Sequence, residues 1–432
     1  MNFANLNQTL ARLNHILIPA TKESRDRARR GWLVRAARPL LWLYQALTDE
    51  GRLLAVASLL IGGAGLEVIS SQVYLLWCIV TGALVAALAV RPWFALTKVR
   101  VEVDAPRQVT VGEEVRFHLI VVNEGEREHR AIRVSRPLLP WDGTWITPKP
   151  GIPSLPPGAH TSVTATARFV QRGHHHLDSF WANAIVPFGL AQGNSALSAG
   201  CHFLVVPRIA KVTRLRTRES SRYQPGGVAL ASKTGESMEL LGVRPYRQGD
   251  AMRDLHARSW ARLGKPVVRE YQQEYFSRIG VILDTDASVA QTEQLEAAIS
   301  LAAGVVAYLS RGEALIDLLV VGDRVHPLTL GRSLGYLEQA LDHLACVEPG
   351  RALDARMLVQ RLAPFLSRLS CVVLVALSWD AARIALAEEI RSRGVACRSL
   401  LVHAGEQTPT TAAEDLSVLS VHDITAGEAL FL

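Results

Sequence analysis

Two long apolar stretches near the N-terminal end constrain the fold of this chain more than any other feature. Residues 53–69 contain one ionisable side chain, Glu67, and residues 73–90 contain none. Each stretch has about the length, roughly 17–25 residues, that an α-helix needs to cross the core of a bilayer. We therefore predict a transmembrane helical hairpin over residues 53–90. The alternative is a helical hairpin buried in a soluble domain, although two adjacent uncharged runs of this length are rare in soluble folds.

Basic residues flank this predicted hairpin on both sides. Residues 1–52 contain nine Lys and Arg against four Asp and Glu, and Arg91, Lys98 and Arg100 follow the second stretch. Cytosolic flanks are enriched in Lys and Arg, so both ends of the hairpin are expected in the cytosol and its turn outside. Residues 32–47 match a short amphipathic helix, either on the membrane surface or packed on protein. Residues 1–52 are therefore interpreted as a basic cytosolic N-terminal segment.

The hydrophobic pattern changes to a two-residue period after the second apolar stretch. Residues 99–103, 115–122 and 161–170 alternate apolar and polar side chains, as half-buried strands do. Strands of this length, separated by turns that contain Gly and Asn, predict an antiparallel β-sandwich over residues 98–208.

Two segments of this region depart from the alternation. Residues 150–158 are rich in Pro and Gly and are interpreted as a loop. His174, His175 and His176 are adjacent, and a strand would direct alternate side chains to opposite faces, so the three cannot bind one metal ion from a strand. We interpret them as a solvent-exposed turn.

Residues 209–275 are a basic connector between the sandwich and the C-terminal domain. Residues 208–270 contain fourteen Lys and Arg against six Asp and Glu, while the net charge of the whole chain is +7. The acids Asp250, Asp254 and Glu270 are interleaved with the basic residues, which indicates specific ion pairs. No recognition-helix or zinc-finger pattern accompanies the charge, so we expect no nucleic acid as a partner. The expected role is to dock an acidic protein surface or to brace the flanking domains.

Strand-like and helix-like patterns alternate through residues 276–432. The strand-like runs are 278–284, 314–321, 371–377 and 395–402, and the helical patterns between them are 295–306, 334–344, 355–366 and 381–393. This alternation predicts a doubly wound, Rossmann-like α/β domain with a parallel sheet and helices on both faces. Because ligands of such sheets bind at the carboxyl ends of the strands, the residues that follow the first strand are candidates for a site.

Asp284, Asp286 and Ser288 follow that first strand. Their order resembles the Asp-x-Ser-x-Ser metal signature of von Willebrand A domains, with Asp286 in place of the first Ser. Carboxylate and hydroxyl oxygens are ligands that Mg²⁺ prefers, and Asp380 is the candidate for a further acid. The predicted site is therefore a degenerate magnesium site. The alternative is that these side chains cap the next helix and solvate a strand end.

Several motifs together resemble one known family. The stretch Leu241-Gly-Val-Arg-Pro-Tyr-Arg-Gln-Gly-Asp250 is followed by Arg253-Asp-Leu-His256 and by Lys265-Pro-Val-Val-Arg-Glu270. With Arg172-Gly173 and Pro187-Phe-Gly-Leu190 upstream, these residues resemble the bacterial family called domain of unknown function 58, over roughly residues 50–405. The resemblance implies a protein of the bacterial inner membrane, with a von Willebrand A-like domain, that acts with a MoxR-type AAA+ ATPase in assembling or remodelling other proteins.

The family signature falls on nine residues of the connector. They are Arg244, Tyr246, Arg247, Gly249, Asp250, Arg253, His256, Arg269 and Glu270. Gly249 permits a tight turn, and Asp250 is expected to cap a helix that begins near Met252. We predict that this segment packs on the α/β domain and holds the sandwich at a fixed angle.

The expected function is a protein-binding scaffold or adaptor rather than an enzyme. The chain contains neither a G-x-x-x-x-G-K-[ST] nor a G-x-S-x-G motif, so these routes to nucleotide or ester hydrolysis are not indicated. One alternative is a hydrolase in which His256 activates Ser259, three residues later. Another is a structural membrane organiser without an ATPase partner. No small-molecule substrate is indicated.

Overall fold

The structure is a computed structural model of the 432-residue chain. It describes residues 23, 26, 38–67, 71–216, 240–271, 278–286, 292–312, 314–322, 325–330, 334–350, 355–405 and 415–432. The chain divides into two compact units, Met1–Val206 and Pro207–Leu432. The protein is thus multidomain and rich in β-sheet.

Three helices precede the sandwich in the first unit. They are α1 (Arg38–Ala46), α2 (Asp49–Glu67) and α3 (Ser71–Val90), and a 3₁₀ turn follows at Arg91–Phe94. The helices α2 and α3 pack side by side, with the hydroxyls of Ser58 and Thr81 2.9 Å apart. Among the described residues, one helical stretch, Gln72–Phe94, is long and apolar enough to span a membrane.

Residues 99–206, which the structure describes throughout, form eleven strands in three sheets. The strands are β1 (Val99–Asp104), β2 (Gln108–Thr110), β3 (Glu114–Asn123), β4 (His129–Ser135), β5 (Gly143–Trp145), β6 (Gly151–Leu155), β7 (His160–Phe169), β8 (Gly173–Leu177), β9 (Trp181–Ala184), β10 (Ala196–Leu197) and β11 (Cys201–Val206). The sheet orders are β1-β3-β7-β5, β10-β9-β4-β6 and β2-β11-β8. All pairings are antiparallel except β2 with β11.

Aromatic side chains fill the core of this region. The ring of Phe117 lies 5.9 Å from Trp145, 5.8 Å from Phe180 and 5.6 Å from Phe203 between centroids. Edge-to-face and tilted arrangements at such distances stabilise a core beyond the effect of the buried area alone. The alternation of buried and exposed residues along β3 places Phe117 on the inner face.

Two interpretations of this region were wrong. Residues 150–158 are not a loop throughout, because Gly151–Leu155 pairs with β4 as strand β6 despite its Pro153. The three histidines belong to strand β8, and His175 is 3% exposed. Its Nε2 lies 2.7 Å from a carboxylate oxygen of the buried Asp142, so a buried partner makes a polar residue acceptable inside the core.

The second unit begins with short strands and one short helix. They are β12 (Val212–Arg214), β13 (Leu240–Pro245), a 3₁₀ turn at Met252–Asp254, α4 (Ala257–Leu263) and β14 (Val267–Tyr271). Strands β13 and β14 form an antiparallel hairpin that pairs Arg244 with Val268. We call residues 240–271 the signature module.

The remainder of the second unit is an α/β domain. Its elements are β15 (Arg278–Asp284), α5 (Thr292–Leu309), β16 (Leu315–Val321), β17 (Val325–Leu330), α6 (Leu334–Ala345), α7 (Ala355–Leu366), β18 (Cys371–Ala376), α8 (Ala381–Ser392), β19 (Ala396–His403), β20 (Leu416–Ser420), α9 (Val421–Ala426) and β21 (Leu430–Phe431). The sheet order is β17-β16-β15-β18-β19-β20. Only β17 runs antiparallel to its neighbour, so the predicted parallel sheet gains one antiparallel edge strand.

Helices cover both faces of this sheet. One face, which includes Ile282 and Leu374, packs against α7 and α8 in a single buried cluster. Helix α5 contacts β15, β16, β18 and β19 and contributes nothing to that cluster, so it lies on the opposite face. Strands β15 and β18 are buried nearly throughout, as expected for central strands covered on both sides.

The chain enters this domain along α5. The Ala210 amide donates to the Ser300 carbonyl at 3.1 Å, and a Cβ at Gly304 would lie 2.3 Å from the Ala210 carbonyl oxygen. Strand β12 then pairs in parallel with β21, at the far end of the sequence. The first and last strands of the second unit are therefore neighbours.

Candidate functional site

The signature module places most of its family residues around a single tight turn. Strand β13 ends at Pro245, and the Tyr246 amide donates to the Pro266 carbonyl at 2.9 Å. Gly249 has a φ of +104°, a backbone conformation that favours glycine. The prediction that Gly249 permits a tight turn is thus confirmed.

Arg244 and Asp250 hold this turn closed. Two guanidinium nitrogens of Arg244 donate to the two carboxylate oxygens of Asp250 at 2.7 and 2.8 Å. The Arg247 amide donates to the same carboxylate at 2.7 Å. Hydrogen bonds from Arg244, and then from the Arg247 backbone, lower the pKa of Asp250 to about 2. Glu270, on β14, lies 3.8 Å from Arg244 and extends the network.

The expected role of Asp250 as a helix cap was wrong. The 3₁₀ turn at Met252–Asp254 has no side-chain cap, and α4 begins later, at Ala257. The N-cap of α4 is His256, whose Nδ1 accepts the Ser259 amide at 3.3 Å. Asp250 binds Arg244 instead. A bidentate pair of hydrogen bonds between two charged groups is stronger than a single cap hydrogen bond.

His256 and Ser259 lie within hydrogen-bond reach, as the hydrolase alternative requires. Ser259 Oγ is 2.7 Å from His256 Nδ1. The same nitrogen faces the Ser259 amide, so helix capping accounts for the geometry of the pair. Both side chains are half-buried on a helix of seven residues.

The outer surface of the signature module is both basic and apolar. Its exposed basic residues are Arg247, Arg253, Arg258, Arg262, Lys265 and Arg269. Met252 is 70% exposed and Leu263 is 64% exposed, and Trp260 is also exposed. Large apolar side chains next to cations are typical of protein-binding surfaces.

A second cluster lies at the carboxyl ends of the central strands of the α/β sheet. Asp284 ends β15, Asp286 follows two residues later, and both converge on Arg383 of helix α8. Arg383 Nε is 3.0 Å from Asp284 Oδ2, and its Nη2 is 2.8 Å from Asp286 Oδ2. Arg383 is 5% exposed, so this ion pair is shielded from water.

Asp380 joins the cluster from the N-terminus of α8. It caps that helix by accepting the Arg383 amide at 3.0 Å, and it accepts the Arg383 guanidinium at 2.7 Å. Burial alone would lower the pKa of Arg383, but hydrogen bonds and charges from Asp284, Asp286 and Asp380 raise it above its usual value. The guanidinium therefore stays charged and neutralises this strand end.

This geometry bears on the predicted magnesium site. Carboxylate oxygens of Asp284 and Asp286 face the Arg383 guanidinium, which supplies the positive charge that a metal ion would supply. Ser288 lies outside the described residues. Within the part of the domain that the structure describes, no three His, Cys, Asp or Glu side chains form a metal-ligand group. The described residues do not fit Mg²⁺ while Arg383 is in place, and the magnesium site stays a prediction.

Sequence reasoning identified the three acids but missed Arg383. An arginine in the first turn of a predicted helix is usually exposed, so the residue type alone gives no sign that Arg383 is buried. The available signal was its position three residues after Asp380, on the helix that follows a central strand.

Comparison with known families supports the assignment of the signature module. The family model described as "Protein of unknown function DUF58" matches residues 242–399. Residues 242–399 of this chain are therefore similar to that family. The match begins within strand β13 and ends within β19, so it includes all but the first two residues of the signature module, and it includes Arg383.

Comparisons with individual proteins add little to the family assignment. No curated protein matches this chain. Among solved structures, the CARDB domain of the PF1109 protein from Pyrococcus furiosus is 16% identical, with 25% of this chain and 87% of that chain covered and a TM-score of 0.19. The RO (RSR) protein of Deinococcus radiodurans is 15% identical, with coverages of 33% and 31% and a TM-score of 0.24. Native α2-macroglobulin of Escherichia coli is 14% identical, with coverages of 31% and 22% and a TM-score of 0.21.

Proposed function

We propose that this protein is a membrane-anchored adaptor that binds a partner protein through its signature module. The supporting observation is the basic and apolar outer surface of that module, which surrounds a turn closed by hydrogen bonds. Arg244 and Asp250 fix the turn, and Val267 and Val268 are buried beneath it. In this proposal the α/β domain is of the von Willebrand A type, with Arg383 at the position of the metal ion.

The proposed anchor is the hairpin of α2 and α3, crossing the inner membrane twice. Its large apolar side chains are exposed rather than covered by the residues that the structure describes. They include Leu53, Val56, Leu59, Leu60, Leu75, Leu76, Ile79 and Val85. A hairpin buried in a soluble domain would instead cover these residues. Monomeric soluble proteins rarely expose apolar patches of this extent, which supports a lipid environment.

The proposed partner is a MoxR-type AAA+ ATPase, as the family resemblance implies. The surface chemistry calls for a partner face that is acidic with apolar pockets, because the exposed side chains are cations and large hydrophobics. Complementary charge accelerates such an encounter and weakens it at high salt. The ATPase would then remodel other proteins at the membrane, with this chain as its adaptor.

Charge reversal on α4 tests this proposal. We expect full-length protein in native membranes to recover an AAA+ ATPase, and Arg258→Glu with Arg262→Glu to abolish the recovery. The matched control is Arg356→Glu with Arg368→Glu, an exposed basic pair on or near α7, which should retain the ATPase. Equal recovery by both variants, or no ATPase with the wild-type protein, would contradict the proposal.

A hydrolase is the second candidate function, because Ser259 Oγ lies 2.7 Å from His256 Nδ1. We expect a fluorophosphonate probe to leave Ser259 unmodified, since capping explains the pair. Mass spectrometry of the probed full-length protein gives the answer, with Ser259→Ala as the background. Stoichiometric modification of Ser259 would favour the hydrolase over the adaptor.

A further inference from the structure

The turn Pro187–Gly189 carries a phenylalanine that the described part of the chain leaves uncovered. Phe188 is 97% exposed, and its φ of +70° lies in the left-handed region. For a bulky side chain this backbone conformation is an outlier, and such outliers concentrate where function requires them. Among the described residues of the first unit, no packing contact accounts for an aromatic ring at this position.

The turn is clamped to the N-terminal end of helix α2. The Thr48 amide donates to the Leu190 carbonyl at 3.1 Å, and the Thr48 hydroxyl donates to the Gly189 carbonyl. A Cβ at Gly51 would lie 1.9 Å from the Leu190 carbonyl oxygen, so the turn reaches the first turn of α2. The charge-free stretch of α2 starts two residues later, at Leu53.

The same turn is also fixed to the C-terminal end of α3. Arg91 Nε donates to the Gln192 carbonyl at 2.6 Å. Ala191 is buried in a small cluster with Ala87, and a Cβ at Gly193 would lie 1.9 Å from the Phe94 carbonyl oxygen. Residues 186–193 therefore lie between the two helix ends that share one side of the hairpin.

Other aromatic and cationic side chains surround these helix ends. Trp42 and Tyr44 on α1 are exposed, and so is Trp93 after α3. A cleft of about 890 Å³ beside Trp93 is lined in part by Arg127 and by Arg130, which is paired with Glu128 of the same lining. Aromatic rings collect at the level of lipid headgroups, and basic side chains are attracted to anionic lipids there.

We propose that Phe188 is a membrane wedge, inserted into the interfacial region of the cytosolic leaflet. This inference rests on the proposed hairpin anchor, because the helix ends define the depth of the turn. The wedge ties the sandwich to the lipid surface at a third point, beside the two helix ends. Its ligand is the boundary between headgroups and acyl chains, not a protein pocket.

Nitroxide labels at three positions test the wedge in full-length protein reconstituted in phosphatidylethanolamine–phosphatidylglycerol vesicles. The first label is on the native Cys78, exposed near the middle of α3. The second is on Phe188→Cys and the third on Val170→Cys, each with Cys78→Ser. All three proteins carry Cys201→Ser and Cys346→Ser. Cys371 and Cys397 are buried and are left unchanged.

Val170 is the matched control because its side chain is 59% exposed. It follows β7 at one end of the paired strands β3 and β7, and α3 connects to the sandwich at the opposite end. We compare collisions with oxygen, which is enriched in lipid, and with a water-soluble nickel chelate. The expected result is a label at 188 that is several-fold less accessible to nickel than the label at 170, with a depth between 170 and 78. Thermal melting of each labelled protein shows that the fold is retained.

Each other outcome has a definite meaning. If the label at 78 lies in hydrocarbon and the label at 188 is as accessible to nickel as that at 170, the wedge is overturned and the anchor stands. If the label at 188 is shielded from both collision partners, protein covers it and the wedge is also overturned. If the label at 78 is itself in water, the anchor fails and the wedge with it.

Discussion

Arg383 decides the character of the strand end that resembled a metal site. Its guanidinium contacts three carboxylates from two segments of the chain. Asp284 and Asp286 are shielded from solvent, whereas the side chain of Asp380 is 44% exposed. A buried ion pair of this kind adds little stability over an apolar replacement. Loss of one partner, however, leaves the opposite charge buried without compensation. Arg383 thus neutralises buried carboxylates that would otherwise need a cation from solution.

Replacement of this arginine should destabilise the protein, because the carboxylates would lose their counter-charge. We expect Arg383→Ala to destabilise the second unit by about 3–5 kcal/mol, because Asp284 and Asp286 would remain buried without a cation. Thermal unfolding of the full-length protein measures the loss. We further expect Mg²⁺ to raise the melting temperature of the variant while leaving that of the wild-type protein unchanged.

Arg391→Ala is the matched control for this experiment. Arg391 lies on the same helix, but it is 37% exposed and its closest approach to Asp415 is 3.9 Å. The cost of its loss should be no more than about 1 kcal/mol. Similar melting of the two variants would show that the Arg383 cluster is not the buried network described above.

The Asp250 carboxylate predicts a pH dependence with a definite sign. Its pKa is lowered from 3.8 to about 2 in the folded protein, so its stabilising effect is complete above the unfolded value and declines as pH falls toward 2. We expect Asp250→Asn to melt below the wild-type protein by a constant difference between pH 7 and pH 5. The difference should shrink below about pH 4. A difference that already vanishes at pH 5 would contradict the assigned ion pair.

Two glycines allow the close backbone contacts between the helices and residues 186–193 of the sandwich. Gly51 and Gly193 each bring a carbonyl oxygen within 1.9 Å of where a Cβ would lie. Such spacing is shorter than any side chain tolerates, so the backbones meet directly. The junction is therefore specified by the absence of side chains as much as by the hydrogen bonds of Thr48 and Gln192.

Alanine at position 51 should separate these backbones. We expect Gly51→Ala to destabilise the first unit by at least about 1–3 kcal/mol, the usual cost of overpacking. Limited proteolysis and thermal melting in detergent measure the effect. Gly63→Ala is the control, since no described atom beyond the neighbouring backbone of its own helix lies within 4 Å of its Cβ position. This variant should be neutral or slightly stabilising. Equal stability of both variants would mean that the turn at Leu190 is not held against α2.

Periodicity in the sequence predicted most of the elements of the α/β domain. Helix α7 was predicted with its observed bounds, and strand β18 to within one residue. Strands β17 and β20 were missed because both lie at sheet edges, where neither face requires a continuous apolar run. β17 even contains Pro327, which an edge strand tolerates.

The whole molecule shows where prediction from sequence stops. Composition and period identified the apolar hairpin, the sandwich and the α/β domain, because burial imposes those patterns on local sequence. The pairs His175–Asp142 and Arg383–Asp284 escaped prediction, since they join residues 33 and 99 positions apart. Nothing local distinguishes a buried charged side chain with a distant partner from an exposed one.

The pairing of β12 with β21 has a mechanical consequence for the second unit. Tension applied through residue 207 would reach β12 first, and β12 is held by a short parallel ladder with β21 and by the contact of Ala210 with α5. Two short strands resist little force compared with the six-stranded sheet. A force applied at residue 207 would separate β12 from β21 before it disrupts the six-stranded sheet. Mechanical unfolding of the second unit from this end would therefore begin at the β12–β21 pair.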